Sequence, residues 1–294
     1  MKLDPNILAV YCYGSMVNGE LGELSDIDLI IVTNDDRTPH GYAILHENDV
    51  CLHADLFNRT EFRRRQQSFM QGGFFHHMLA TSKLVYAKEG TSSITDVDRA
   101  LISIAERDKE LEILRFSEWL LGCFLKAQKT FYVLHDVEKS LLWFPRLAQF
   151  LAHVLLLMND RIPGRDVLAQ ARALENELLD EVVTKAFKEA LSESNLEQVL
   201  KLIEDFLLTK RQQLFRPIFS YLSEATDARS VTEIGDHLLQ AFARPSTDPP
   251  WDMVLVLEWL AHHGDLMKAT VPKRLTSKSR VTADEAAYYY MGRE

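Results

Sequence analysis

Asp26-Ile27-Asp28 carries two carboxylates one residue apart, and Asp55 adds a third inside another apolar stretch. A Gly14-Ser15 pair comes shortly before the first two. Side chains alternate along a strand, so Asp26 and Asp28 share one face while Ile27 and Leu29 point into a core. The run Ile27 to Val32 is apolar and rich in β-branched residues, which predicts a strand. Two same-face carboxylates this close repel each other unless a cation lies between them. Cys51 to Phe57 reads as a second strand, with His53, Asp55 and Phe57 on one face and Leu52, Ala54 and Leu56 on the other. Three converging oxygen ligands suit Mg2+, which keeps waters and recruits substrate phosphates.

The elements that must position these groups are legible around them. A strand from Ala9 to Tyr13 ends at the Gly14-Ser15 turn. Asn34-Asp35-Asp36-Arg37 is a polar loop, and a strand near Tyr42 to Leu45 pairs with the Asp55 strand as a hairpin through Glu47-Asn48-Asp49. Thr60 to Met78 reads as one helix starting at a Thr cap, and Lys83 to Ala87 as a closing strand.

Tyr13-Gly14-Ser15-Met16-Val17-Asn18-Gly19 followed by Ser25-Asp26-Ile27-Asp28-Leu29 resembles the nucleotidyltransferase superfamily, typified by polymerase beta and by antibiotic adenylyltransferases. The family pattern is a Gly-Ser turn, Asp-apolar-Asp, then a third acid on a neighbouring strand. The resemblance covers residues 1–95 and implies an α+β head with a mixed sheet flanked by helices. It implies that Asp26, Asp28 and Asp55 are catalytic and hold two Mg2+ ions. Asp55 would also accept a proton from the attacking hydroxyl, or orient it. Gly14 would let the backbone approach the triphosphate of ATP, and Ser15 would donate to a phosphate oxygen. Pyrophosphate would leave, and AMP would stay on a small-molecule or protein acceptor. Many members place a basic residue just after Gly-Ser, whereas Met16-Val17-Asn18 carries none. Lys126 and Lys129, three apart on a helix face, are candidates for that grip on the nucleotide, beside their alternative as a solvated face.

From residue 96 the apolar period becomes helical. Ile113, Phe116, Leu120, Phe124, Ala127 and Phe131 form a stripe at spacings of three and four. Asp136 is placed to cap a second helix reaching Met158, and Pro145 should kink or interrupt it. Asn159 to Gly164 is a turn, and helices follow at 166–191 and 196–213, completing a helical bundle over 96–214 that would form the acceptor pocket. Glu110, Glu118 and Asp136 are weighed as a separate general base, although acids on helices are mostly solvated. The spacing of Arg146 and His153 is of a kind that arises by chance, and His76-His77 and His262-His263 lack partners at metal-ligand spacing.

Residues 215–294 read as several short helices and a hairpin, split by the breaker-rich Arg244 to Pro250, and resemble a winged helix-turn-helix. Lys268, Lys273, Arg274, Lys278 and Arg280 form a basic run without an acid between Lys268 and Arg280, a candidate contact for DNA phosphates. The alternative is a basic surface hairpin used in packing or in a homodimer. The whole order, transferase head, helical middle and helix-turn-helix tail, resembles a group of bacterial nucleotidyltransferase-like proteins.

Composition bounds the rest. The chain has 294 residues, 47% hydrophobic and 26% charged, as a globular protein does, and a formal net charge of −10. That charge argues against broad nucleic-acid binding and is compatible with a cationic acceptor. Cys12, Cys51 and Cys123 are scattered, which fits buried thiols in a reducing compartment. No signal peptide or membrane-spanning run is evident, so the expected location is the cytoplasm. Three functions remain open on these grounds: a Mg2+-dependent nucleotidyltransferase, a nucleotide-sensing DNA-binding regulator with a weak or inert head, and an antitoxin-like partner protein.

Overall fold

The computed structural model describes residues 4–19, 21–23, 25–34, 41–47, 49–69, 74–91, 104, 106–188, 192–241, 253–276, 278 and 280–292. They fall into two compact units: Met1–Ala105 with Asp160–Arg165, and Glu106–Asn159 with Asp166–Glu294.

The first unit is a five-stranded mixed sheet. Its strands are β1 (Ile7–Tyr13), β2 (Ile27–Thr33), β3 (Gly41–Glu47), β4 (Val50–Asn58) and β5 (Lys83–Ala87), in spatial order β3-β4-β2-β1-β5. β2 and β4 run parallel, and the other neighbours are antiparallel. The period-two patterns decide the faces as expected. Leu29 and Ile31 join Val10, Cys12 and Ala54 in a buried cluster on one face. Ile30 and Val32 join Tyr11 and Phe57 on the other. That second face is covered by Phe62 of α2 (Arg59–Phe69) and by Met78 and Leu79 of α3 (Phe74–Thr81). Each such burial contributes roughly 1.5–3 kcal/mol. The β3–β4 hairpin forms where expected, with Glu47 opposite Val50 and Asp49 in the left-handed region at φ 64°.

Of the helix expected over Thr60 to Met78, Arg59–Phe69 and Phe74–Thr81 are helical, and 70–73 lie outside the described residues. Its cap is Asn58 rather than Thr60, because β4 runs through Asn58 and its Oδ1 accepts from the Glu61 amide at 2.7 Å. The expected loop at residues 35–37 and the linker at 244–250 also lie outside the described residues.

Residues 160–165 group with this first unit through α3. The His77 ring donates from Nδ1 to the Ile162 carbonyl at 3.1 Å. Gly164 lies so close that a Cβ there would stand 2.6 Å from His77 Nε2. Burial holds the imidazole below its ordinary 6.5, against the opposing pull of the Ile162 carbonyl. A depressed folded value means that this stabilisation is full above pH 6.5 and is lost as pH falls through the folded value. Thermal melts between pH 7.5 and pH 5 should therefore show a falling midpoint. His77→Asn keeps an N–H donor but cannot charge, so its midpoint should fall less over the same range.

The second unit is built on α4 (Glu106–Gln128), α5 (Val137–Leu141), α6 (Phe144–Met158), α7 (Val167–Arg172), α8 (Glu177–Val183) and α9 (Glu193–Leu214), with π-helical turns at Lys129–Val133 and Thr184–Lys188. The stripe Ile113, Phe116, Leu120, Phe124 and Ala127 is buried as its spacing requires. Asp136 caps α5, its side chain accepting from the Lys139 amide. Pro145 interrupts rather than kinks: α5 ends at Leu141 and Pro145 sits in the first turn of α6, where a missing N–H leaves no bond unmade. The stretch Val137–Met158 is long and apolar enough to cross a membrane. It is nonetheless broken at Leu142 and Trp143, and Leu147, Leu151 and Leu155 of α6 are buried inside the unit.

The same unit continues through α10 (Arg216–Glu224), β6 (Arg229–Ser230), α11 (Val231–Ala241), α12 (Met253–His262), β7 (Met267–Arg274) and β8 (Thr282–Tyr289), with sheet order β6-β8-β7. A buried ion pair from Arg211 to Asp265, 2.6 Å, ties α9 to the end of α12. Leu255 of α12 lies over Gly122 of α4, 3.7 Å from where a Cβ would stand. Of the basic run, Lys268 pairs with Glu258 and Lys273 with Glu285. Arg274, Lys278 and Arg280 are exposed, without an ion pair among the described residues.

Candidate functional site

β1 ends at Tyr13, and Gly14 turns the chain with φ 75° and ψ −152° into the short helix α1, Ser15–Asn18. Left-handed φ with extended ψ is essentially a glycine conformation. A second constraint is steric: a Cβ on Gly14 would stand 2.4 Å from Oδ2 of Asp28. The turn and the carboxylate are thus packed directly against each other. Tyr13 pairs with Asp28 across the antiparallel β1–β2 ladder, which fixes that proximity.

Asp26 precedes β2 and Asp28 lies within it. The parallel register sets Asp28 opposite His53 and Ile30 opposite Asp55. Paired residues point to the same face, so Asp28, His53 and Asp55 continue the face that buries Ile30, Val32 and Phe57. His53 Nδ1 donates to Asp26 Oδ2 at 2.8 Å and stands 4.0 Å from Asp28 Oδ1. Asp26, Asp28 and His53 offer ligand atoms that all lie within 4.8 Å of one another. Asp55 is one pairing step away, and its Oδ2 accepts from the Tyr13 hydroxyl at 3.1 Å.

The electrostatics follow from this crowding. Burial, and then the charge of Asp26, hold the Asp28 carboxyl above its ordinary 3.8, while His53 and Arg165 pull it down. Tyr13 is pushed well above the ordinary phenol range by burial and by Asp55 and Asp28, so it stays protonated and donates. The Cys12 thiol is also raised, by burial and then by Asp28, and carries no thiolate chemistry here.

The structure therefore brings Gly14, Ser15, Asp26 and Asp28 to one end of the sheet and sets Asp55 beside them under Tyr13. Two participants escaped the sequence reading. His53 shares the strand face of Asp55, a signal that alternation supplies. Its closeness to Asp26 needs the parallel register. Tyr13 had a weaker signal, as the polar-tipped residue before Gly14. Lys126 and Lys129 belong to the helical unit, where Lys126 Nζ lies 5.1 Å from the centre of the Trp143 ring. Lys129 opens a π-helical turn. Among the candidate bases, Glu110 pairs with Arg216 at 2.9 Å, Asp136 is engaged as a cap, and Glu118 is buried in α4. His153 stacks on Phe116 with ring centres 4.1 Å apart and bonds the Gln149 carbonyl, an ordinary packing role. All three cysteines are free thiols.

Residues 1–91 match the family model described as polymerase beta, nucleotidyltransferase. The Gly-Ser and Asp-x-Asp pattern lies within the matched residues. No curated protein matches the chain. Among solved structures, it is similar to a nucleotidyltransferase-like protein from Exiguobacterium sibiricum 255-15, at 15% identity and a TM-score of 0.66, over 98% of this chain and 94% of that one. That likeness is one of fold. A spectinomycin adenyltransferase from Enterococcus faecialis, solved with ATP and spectinomycin, aligns at 15% identity and a TM-score of 0.30, over 69% of this chain and 93% of that one.

Proposed function

We propose that the chain is a divalent-metal-dependent nucleotidyltransferase that moves AMP from ATP onto a hydroxyl of a small molecule or protein, releasing pyrophosphate. The observation that supports this most is the convergence of Asp26, Asp28 and His53, with Asp28 packed against Gly14, within the residues that match this family's model. The donor set fits a cation. Two carboxylates and an imidazole converge, and burial first and the Asp26 charge second raise the Asp28 carboxyl, a cost to its charged form that a positive charge would offset. Asp26 and Asp28 would hold the ions, Mg2+ in the family's manner. A nitrogen donor beside them also suits Mn2+. A bound ion would supply charge neutralisation at the reacting phosphate and at the leaving group.

The protein's own groups account for the remainder. The Gly14 turn would let a phosphate approach the backbone amides, and the Ser15 hydroxyl, which opens α1, would donate to it. The Tyr13 bond to Asp55 Oδ2 fixes that carboxylate's orientation and leaves Oδ1 to take the proton of the acceptor hydroxyl. As the acceptor's oxygen bonds to the α-phosphorus, the bond to pyrophosphate breaks. The net charge of −10 is compatible with a cationic acceptor.

The test is incubation of the full chain with labelled nucleoside triphosphates, Mg2+ or Mn2+, and a panel of hydroxylated cations and proteins. Label should pass to an acceptor with one pyrophosphate released per transfer, and both should need the metal. If none of the common triphosphates binds in a metal-dependent way, the proposal fails.

A further inference from the structure

A triphosphate carries several negative charges, and the three acids of this site add more. The segment after Gly14-Ser15 offers no cation to balance them, since Met16, Val17 and Asn18 follow. We propose that Arg165 is the missing cation and binds the β- and γ-phosphates of the nucleotide. This rests on the nucleotidyltransferase reading above.

The case begins with where the chain goes. Residues 160–165 group with the sheet domain, although the residues before and after them belong to the helical unit. Their position is held from two sides of one ring. His77 donates to the Ile162 carbonyl at 3.1 Å, and Gly164 sits where any Cβ would collide with the same imidazole. Ile162 and Pro163 are buried. Arg165 follows directly and is exposed, with no ion pair among the described residues. The neighbouring acid does not claim it, because the Asp166 carboxylate accepts from the Ala169 amide at 3.1 Å as the cap of α7.

A fixed segment thus ends in an unpaired guanidinium on the domain that holds Asp26 and Asp28. Its charge is felt at the site, since Arg165 is among the groups that pull the Asp28 carboxyl down. Its chemistry is also suited: the planar fork donates two parallel hydrogen bonds to a phosphate, and a guanidinium stays charged throughout the working pH range. The sequence gives no spacing signal for this role, because Arg165 lies far along the chain from Gly14.

The experiment is calorimetric titration of the full chain with two probes: a non-hydrolysable ATP analogue with Mg2+, and inorganic triphosphate with Mg2+. Wild type, Arg165→Ala, Arg165→Lys and Arg161→Ala are compared. Arg161 is an exposed arginine of the same segment and serves as control. Arg165→Ala should weaken both probes by on the order of tenfold to a hundredfold, the range for a charge-assisted hydrogen bond. Arg165→Lys should recover part of that loss, and Arg161→Ala should match wild type. Mn2+ binding without nucleotide, read by electron paramagnetic resonance, should be unchanged in Arg165→Ala. Equal affinities for wild type and Arg165→Ala would overturn the proposal. So would loss of Mn2+ binding, which would make Arg165 a support of the acids instead. A wild type that binds Mn2+ but neither phosphate probe would overturn the underlying transferase reading as well.

Discussion

Asp28→Asn should lower metal-dependent transfer by about a thousandfold while leaving the sheet domain folded. A metal ion at a reacting phosphate is worth several kcal/mol, and each 1.36 kcal/mol is a factor of ten in rate. Asp28 is the acid that links the cluster together: it faces Asp26 and His53 and abuts the Gly14 turn. Asparagine keeps its shape and removes one of the charges a cation needs. Stability should move the other way. Burial and Asp26 raise the folded value of Asp28, so its charged form costs stability at neutral pH. That cost is present above the folded value and disappears below the ordinary 3.8. The variant should therefore melt no lower than wild type at pH 7, and any advantage should vanish in acid. Mn2+ titration, transfer assays and melts at two pH values check all three expectations. Unchanged Mn2+ affinity would remove Asp28 from the site, and a large drop in melting temperature would make it structural. An acid held in place at the expense of stability is the usual mark of a site kept for function.

Gly14→Ala should damage both the fold and the site. The backbone there, φ 75° and ψ −152°, is open essentially to glycine alone, and forcing another residue into it costs on the order of 1–3 kcal/mol. The added Cβ also meets Asp28 Oδ2 at 2.4 Å, well inside contact distance. The carboxylate must swing away, and in moving it leaves its place near His53 and Asp26. Gly19→Ala is the informative comparison. Gly19 has φ 75° and ψ 21°, and nothing lies within 4 Å of its Cβ position. It should lose roughly 1–2 kcal/mol of stability from the left-handed backbone alone and keep its metal affinity. Denaturant unfolding and Mn2+ titration of both variants separate the effects. If Gly14→Ala binds Mn2+ as tightly as Gly19→Ala, the crowding between turn and carboxylate has no functional weight.

Much of the site was readable from residue order because its grammar is local. Alternation along β2 put Asp28 on the face opposite Leu29 and Ile31, and alternation along β4 put Asp55 with His53 and Phe57. The turn residues fixed Gly14, and the apolar stripe fixed the buried side of α4. Capping was less secure: Asn58 displaced Thr60 because α2 starts at Arg59, directly after β4, so that the Asn58 side chain is the one within reach of the Glu61 amide.

What the sequence determined alone, then, is which side chains share a strand face or a helix face, since each is set by the period of its own element. What only the tertiary structure decided is which element lies beside which, and in what register. The pairing of β2 with β4 brought His53, rather than Asp55, against Asp28, and it left Asp55 to Tyr13. The return of residues 160–165 to the sheet domain put Arg165 on the same unit as the acids. Register and chain return rest on contacts between distant residues, here the ladder between two strands and one imidazole against Ile162 and Gly164. No periodicity within a single segment encodes them.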